Sequence, residues 1–154
     1  MNVRRYQAGE EEQIWQVYYD TTRLINGRDY TAEQVRRWAP DEGKPGWNER
    51  LKEKNPFVAE EEGQILGFAE LEGNGHIGYF YSHHQWQRKG VGKLLYRALE
   101  EEALRRKIPL LFAEVSVTAR EFFLGRGFEI VAEQNNLVCG TVAPNFQMQK
   151  RLLF

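Results

Sequence analysis

The segment with the clearest capacity for chemistry runs from Gln87 to Lys93 and reads Gln-Arg-Lys-Gly-Val-Gly-Lys. It follows a β-prone stretch and precedes residues with helical periodicity, which places it at the start of a predicted helix. The first N–H groups of a helix have no partner within the helix, and their partial positive charge favours anions. The glycines let a ligand approach the backbone closely, and the basic side chains add positive charge. The segment therefore predicts a binding site for phosphate groups.

Two phosphate-binding motifs are excluded by neighbouring residues. A Walker loop requires Ser or Thr directly after its Gly-Lys pair, but Leu94 follows Gly92-Lys93. A dinucleotide-binding loop of the form Gly-x-Gly-x-x-Gly would begin at Gly90, and Leu95 occupies the position of its third glycine. A nucleotide-binding enzyme of either type is therefore disfavoured.

A third pattern fits the segment. The motif Gln/Arg-x-x-Gly-x-Gly/Ala, placed between a strand and a long helix, resembles the pyrophosphate loop of the GNAT superfamily of acetyl-CoA-dependent N-acetyltransferases. Gln87, Gly90 and Gly92 fall on this motif. The stretch Glu114 to Phe128 resembles the strand, short helix and aromatic pair that follow in that family. The end of the chain, 145–150, is similar to bacterial members whose acceptor is uncharacterised.

The resemblance implies which residues would bind acetyl-CoA as co-substrate. Main-chain N–H groups of the loop would hold the pyrophosphate, and the end of the preceding strand would pair with the pantetheine arm. The start of the short helix and its aromatic pair would complete the site. The implied cofactor-binding residues are Tyr81, Ser82, His83, Gln87, Arg88, Lys89, Gly90, Val91, Gly92, Lys93, Ser116, Phe122 and Phe123.

The resemblance also implies which chemical groups catalysis needs. In this family an amine attacks the thioester directly, so a base must take a proton from the ammonium group. The candidate bases, in order of preference, are Glu70, His76 and His83 on the predicted strands near the thioester. Many members donate a proton to the thiolate from a Tyr of the short helix, but Phe123 stands at that position and cannot donate one.

The elements that must position these residues follow from the periodicity of apolar side chains. Helices are predicted at Glu11–Leu24, Ala32–Trp38 with Thr31 as N-cap, Gly90–Lys107 and Ala119–Leu124. Strands are predicted at Val3–Tyr6, Phe57–Glu60, Ile65–Glu72, His76–Ser82, Leu110–Val115, Phe128–Glu133 and Leu137–Leu152. This order indicates an α/β (α+β) domain. The resemblance implies that this domain has a GNAT-like mixed, mostly antiparallel central sheet of about 6–7 strands, flanked by about four helices. The strand–helix–strand order in the second half predicts a local parallel pairing.

Composition limits the classes of partner. A chain of 154 residues fits a single domain, 1–154, and a net charge of −1 gives no basis for nucleic-acid binding. No apolar run approaches the length of a membrane span, and no secretory signal is visible at the N-terminus. Cys139 is the only cysteine, which fits a reducing compartment and an expected cytoplasmic location. The three histidines lack metal-ligand spacing, so no metal site is expected.

Two functional hypotheses remain open from the sequence. The first is an N-acetyltransferase that transfers an acetyl group from acetyl-CoA to a primary amine in a ternary complex. The acceptor could be a small metabolite, an antibiotic-like amine, a peptide N-terminus or a lysine. The second is a non-catalytic acyl-CoA-binding module, which the phenylalanine at position 123 keeps open. A homodimer is compatible with either hypothesis.

Overall fold

The computed structural model describes residues 1–138 and 140–152, so Cys139 lies outside the described residues. Seven strands and five α-helices lie within these ranges. The strands are β1 (Asn2–Arg5), β2 (Phe57–Glu61), β3 (Gln64–Leu71), β4 (Ile77–Ser82), β5 (Leu110–Ser116), β6 (Glu129–Val138) and β7 (Thr141–Arg151). The helices are α1 (Glu11–Leu24), α2 (Ala32–Trp38), α3 (Trp47–Lys54), α4 (Val91–Arg105) and α5 (Arg120–Gly125), with short 3₁₀ turns at Asn26–Arg28 and His84–Trp86.

The strands form two antiparallel sheets. The first has the order β1-β2-β3-β4 and the second has the order β5-β7-β6. In the described ranges the sheets are joined by one isolated parallel bridge, between His76 and Phe112. The predicted parallel pairing is therefore reduced to this one bridge. Beyond the bridge, β4 and β5 separate and leave an opening in the middle of the fold.

Local sequence signals account for most helix boundaries. The hydroxyl of Thr31 accepts a hydrogen bond from the N–H of Gln34, and the side chain of Gln34 accepts one from the N–H of Thr31. This capping box starts α2 as predicted. Helix α3 was not predicted, because only Trp47 and Leu51 are buried in an otherwise charged and polar segment. That spacing gives little helical periodicity in eight residues.

Helices cover both faces of the first sheet. Helix α4 packs on one face, where its apolar stripe of Val91, Leu95 and Leu99 joins a core cluster shared with the second sheet. Helices α1 and α3 cover the other face, where Ile14, Tyr18, Trp47 and Leu51 pack on Val58 and Phe68. The second sheet extends the fold beyond the opening between β4 and β5. None of the helices in the described part of the chain is long and apolar enough to cross a lipid bilayer.

Candidate active site

The opening between β4 and β5 forms a cleft of about 630 Å³. Its walls come from β4 and β5, from α1 and α5, from the start of α4 and from the β6–β7 hairpin. Alternate residues of β4 face opposite sides. Phe80 packs with the core under α4, whereas Tyr79 and Tyr81 pack with the core under α1 and α3. The cleft therefore connects the two faces of the fold through the gap between the sheets.

The predicted phosphate loop lies at one end of this cleft and begins α4. Gly90 is the N-cap residue and has a φ of 89°, a left-handed conformation that costs a residue with a side chain more than glycine. Arg88 also has a positive φ, of 60°. No side chain in the described residues caps this helix. The N–H groups at its first turn, from Val91 to Lys93, are thus available for an anion.

Two contacts fix the loop against the end of β4. The side-chain amide of Gln87 donates to the carbonyl oxygens of Ser82, at 2.8 Å, and His83, at 3.2 Å. Gly92 lies under the ring of Phe122, where an added Cβ would be 3.0 Å from Cε1 of that ring. Gln87 and Gly92 both line the cleft, whereas the basic side chains Arg88, Lys89 and Lys93 are exposed around it.

The hydrogen bonds between β3 and β4 determine which N–H groups of β4 face the cleft. The N–H of His83 donates to the carbonyl oxygen of Leu66 in β3, at 2.7 Å, so it does not face the cleft. Because successive residues of a strand alternate, the N–H of Tyr81 faces β3 as well. The N–H groups that face the gap belong to Phe80 and Ser82. Of the three residues predicted to bind the pantetheine arm through main-chain atoms, Tyr81, Ser82 and His83, only Ser82 therefore turns its N–H toward the gap.

The short helix α5 forms the opposite wall. Its residues Phe122 and Phe123 both line the cleft and pack on Phe80, with ring centroids 5.5 Å apart in each case. Phe123 is buried in the core and offers no proton to the cleft. Ser116, which also lines the cleft, accepts the N–H of Ala119 on its hydroxyl oxygen at 3.1 Å.

The first predicted base, Glu70, is fully buried and held in an ion pair. Its carboxylate accepts hydrogen bonds from Arg50 Nε at 3.0 Å and Nη2 at 2.6 Å, and from the N–H of Tyr79 at 2.9 Å. It sits at a register shift between Ala69 and Leu71 and does not line the cleft, whereas Arg50 does. The geometry favours Glu70 as an anchor for Arg50 and the backbone of β4 over the predicted role as base.

The second predicted base, His76, lines the cleft but uses both ring nitrogens. Nδ1 lies 3.0 Å from Oε1 of Glu72, and Nε2 lies 3.0 Å from Oε1 of Glu114. Burial lowers the pKa of His76, but the hydrogen bonds to these two carboxylates outweigh it and the pKa lies above 6.5. Without a free nitrogen lone pair, His76 is poorly arranged to take a proton from an amine.

The third predicted base, His83, does not line the cleft. Its Nδ1 accepts the N–H of Gln85 at 3.0 Å, and its ring stacks on His84 with centroids 4.6 Å apart. Burial, together with the charge of His84, lowers the pKa of His83 below 6.5. The geometry assigns His83 to the turn between β4 and α4.

A carboxylate that the sequence analysis did not single out does face the cleft. Glu114 is the only Asp or Glu among the cleft-lining residues in the described part of the chain, and about half of its side chain is exposed. Its neighbours Ala113 and Val115 point into the core under α4, so the side chain of Glu114 faces the opposite side of β5. The sequence signal that could have identified Glu114 is its position as the single charged residue in the otherwise apolar strand Leu110–Ser116.

Polar side chains from the N-terminal half complete this side of the cleft. The ammonium group of Lys44 lies 2.7 Å from the hydroxyl oxygen of Tyr18 and 3.1 Å from that of Tyr79. The hydroxyl of Thr21 donates to the carbonyl oxygen of Ser82 at 2.8 Å. The cleft therefore has an aromatic and polar side toward α1, and at its other end it meets the uncapped start of α4.

Comparison with known proteins shows to which family the chain belongs. The family profile described as an acetyltransferase (GNAT) domain matches residues 26–152. The chain belongs to the GNAT acetyltransferase family. A curated relative of this GNAT chain is an uncharacterised N-acetyltransferase, YafP, of Escherichia coli. It is 26% identical over 150 residues, which are 97% of this chain and 95% of the relative.

Solved structures of other acetyltransferases have the same fold. A GCN5-related N-acetyltransferase from Rhodopseudomonas palustris, also described as a class-II aminotransferase, superposes with a TM-score of 0.91 at 29% identity. The alignment covers 97% of the GNAT chain and 94% of that chain. The Salmonella typhimurium protein yncA, solved with its cofactor acetyl-CoA, gives a TM-score of 0.69 at 22% identity and covers 100% and 95% of the two chains.

Proposed function

We propose that this protein is an acetyl-CoA-dependent N-acetyltransferase that acetylates a primary amine by direct attack in a ternary complex. The observation that carries the proposal is the position of the uncapped start of α4 at one end of a cleft whose other side holds Glu114. Membership of the GNAT family supports acyl transfer, and three proteins of the same fold were solved with acetyl-CoA or coenzyme A. The donor and the acceptor would meet in the gap between β4 and β5.

The donor end of the cleft fits a thioester attached to a pyrophosphate. The N–H groups of Val91 to Lys93 would bind the pyrophosphate, and the lack of a side chain at Gly92 keeps the backbone accessible between Phe122 and Ser82. The N–H groups of Phe80 and Ser82 would pair with the amides of the pantetheine arm. The apolar ring faces of Phe122 and Phe123 would pack along that arm.

The reaction requires three changes at the thioester. The amine loses a proton, its nitrogen forms a bond to the acetyl carbon, and the carbon–sulfur bond breaks to release the thiolate of coenzyme A. The proton on the amine passes to a base on the α1 side of the cleft. Because Phe123 cannot donate a proton, we assign protonation of the thiolate to water in the open cleft.

Release of free coenzyme A in the presence of primary amines tests the proposal. The wild-type protein is incubated with acetyl-CoA and a panel of alkylamines, diamines, amino acids, aminoglycosides and short peptides. Thiol release is followed with a chromogenic disulfide, and acetylated product is identified by its mass. The proposal predicts amine-dependent thiol release and an acetylated amine. Binding of acetyl-CoA without turnover across the panel would favour the alternative, a non-catalytic acyl-CoA-binding module, which the phenylalanine at position 123 supports.

A further inference from the structure

The junction between the two sheets brings His76 next to β5. His76 forms the parallel bridge with Phe112, and the N–H of Phe112 donates to the carbonyl oxygen of Gly75 at 3.1 Å. Gly75 has a φ of 94°, and an added Cβ would lie 2.0 Å from the carbonyl oxygen of Leu110. The turn before β4 is thus locked against β5. Glu114 lies two residues beyond Phe112, where β4 and β5 have separated.

A chain of three side chains crosses this junction. Nδ1 of His76 lies 3.0 Å from Glu72, while Nε2 lies 3.0 Å and 3.1 Å from the two carboxylate oxygens of Glu114. A carboxylate only accepts hydrogen bonds, so the two contacts are satisfied together when both ring nitrogens carry a proton. His76 then acts as a cation between two anions. Lys54, at 3.3 Å from Glu72, extends the chain outward.

The two carboxylates have different surroundings. Glu72 is paired with Lys54 as well as with His76. Glu114 lines the cleft, and in the part of the chain that the structure describes its one partner side chain is His76. The two cationic side chains on this wall, Arg50 and Lys44, have partners other than Glu114. Arg50 is bound to the buried Glu70, and Lys44 lies against the hydroxyl groups of two tyrosines.

We propose that Glu114 is the base that takes the proton from the acceptor amine, and that His76, held by Glu72, positions the carboxylate of Glu114. The proposal rests on the N-acetyl transfer proposed above. One N–H bond of the ammonium breaks as the proton moves to a carboxylate oxygen of Glu114, and the lone pair left on nitrogen attacks the acetyl carbon. The proton leaves Glu114 through the open cleft after the thiolate departs. Glu114 is a catalytic residue in this scheme, and His76 is a positioning residue.

Kinetics of Glu114→Gln test the base directly, with a primary alkylamine as acceptor and acetyl-CoA as donor. We expect about a hundredfold loss of kcat/KM at pH 7, the lower end of the range for a general base, with unchanged affinity for acetyl-CoA. The loss should shrink as the pH rises toward the pKa of the alkylamine, about 10.4 for a lysine-like group, because a free amine needs no base. The matched control is Glu133→Gln, an exposed carboxylate of β6 that does not line the cleft.

The positioning role of His76 is tested by a double variant. His76→Gln alone should lower kcat about tenfold and leave the KM for acetyl-CoA unchanged. The double variant His76→Gln/Glu114→Gln should be no slower than Glu114→Gln alone, because His76 acts through Glu114. Multiplied losses in the double variant would overturn the positioning role. Wild-type turnover in Glu114→Gln at pH 7 would overturn the base.

The pairing of His76 with Glu114 can also be tested without an acceptor amine. The ring of His76 is titrated by NMR in the wild-type protein and in Glu114→Gln. Removal of one neighbouring carboxylate should lower the pKa of His76, and an unchanged titration would overturn the pairing. Failure of the proposed function has a different signature. No amine would then be acetylated by the wild-type protein, although the NMR titration still shifts.

Discussion

Loss of the buried ion pair between Arg50 and Glu70 should destabilise the protein substantially. Glu70 has no exposed surface, and it accepts two hydrogen bonds from Arg50 and one from the N–H of Tyr79. Removing one partner from a buried pair costs about 3–5 kcal/mol. About a third of the Arg50 side chain is exposed, so water can partly replace it. We therefore expect Arg50→Met to cost about 3 kcal/mol, which lowers the Tm by about 6–12 °C.

A double-mutant cycle measures the interaction free energy between Arg50 and Glu70 separately from their other contacts. Glu70→Gln keeps the shape and an acceptor for Tyr79 but loses the charge, and should cost about 2 kcal/mol. Arg50→Met/Glu70→Gln should cost about 3 kcal/mol, less than the sum, because no buried charge is left alone. Urea unfolding followed by circular dichroism at pH 7 measures all three variants. Arg36→Met is the control: its partner Glu33 is exposed, and the loss should stay below about 0.5 kcal/mol.

Two results would refute this reasoning. Additive losses in the cycle, or a cost below about 1 kcal/mol for Arg50→Met, would mean that the pair does not anchor α3 to β3. The same variants also test the predicted catalytic role of Glu70. If folded Glu70→Gln binds acetyl-CoA normally but has lost turnover, Glu70 is the base after all, and its assignment as an anchor is wrong.

Three further predictions concern the loop, the α1–α2 connection and pH. Gly90→Val should abolish acetyl-CoA binding in calorimetry while keeping the far-UV spectrum, whereas Gly63→Val, with a φ of 81° at a distant turn, should bind normally. Tyr30→Phe should lower the free energy of unfolding in urea by about 2 kcal/mol, because the Tyr30 hydroxyl accepts the N–H of Val117 and donates to the carbonyl oxygen of Pro144. Tyr19→Phe, which removes an exposed hydrogen bond, should lower it far less. The hydrogen bond from Arg4 lowers the pKa of Glu10, so this pair stabilises the fold above pH 4.5 and the contribution disappears as the pH falls through the lowered pKa. Glu10→Gln should therefore be less stable than wild type at pH 7, by about 1–2 kcal/mol, and the difference should vanish near pH 2.

Each of these three predictions would be contradicted by a specific result. Normal acetyl-CoA affinity in Gly90→Val would place the pyrophosphate elsewhere. Equal losses in Tyr30→Phe and Tyr19→Phe would mean that the two hydrogen bonds of Tyr30 contribute nothing specific. A stability difference for Glu10→Gln that persists unchanged at acid pH would show that its cause is not the charge of Glu10.

The fold and the donor end of the cleft could be predicted because they depend on local signals. The helix Val91–Arg105 carries its apolar residues at steps of three and four, and the glycines of its first turn stand beside it in the sequence. The capping box of Thr31 and Gln34 likewise lies within four residues. These signals require no knowledge of which strands are neighbours.

The catalytic side could not be predicted in the same way because it depends on long-range contacts. The partner of Glu70 is Arg50, in a helix that the pattern did not reveal, and the partner of His76 is Glu114, 38 positions away. Alternation along a strand predicts that successive residues face opposite sides, but it does not show that β3 occupies the N–H groups of Tyr81 and His83. For this reason the sequence predicted Glu70, His76 and His83 as candidate bases and did not single out Glu114.

Binding of acetyl-CoA tests the central claim most directly. Thermal unfolding is followed with acetyl-CoA, NAD or ATP, each at about a hundred times the dissociation constant expected of a specific ligand. Saturation at that level stabilises a protein by about 2.7 kcal/mol, which corresponds to a rise in Tm of about 5–10 °C. We expect this rise with acetyl-CoA and none with NAD or ATP. A rise with NAD or ATP and none with acetyl-CoA would contradict the assignment of the α4 loop to an acetyl-CoA pyrophosphate.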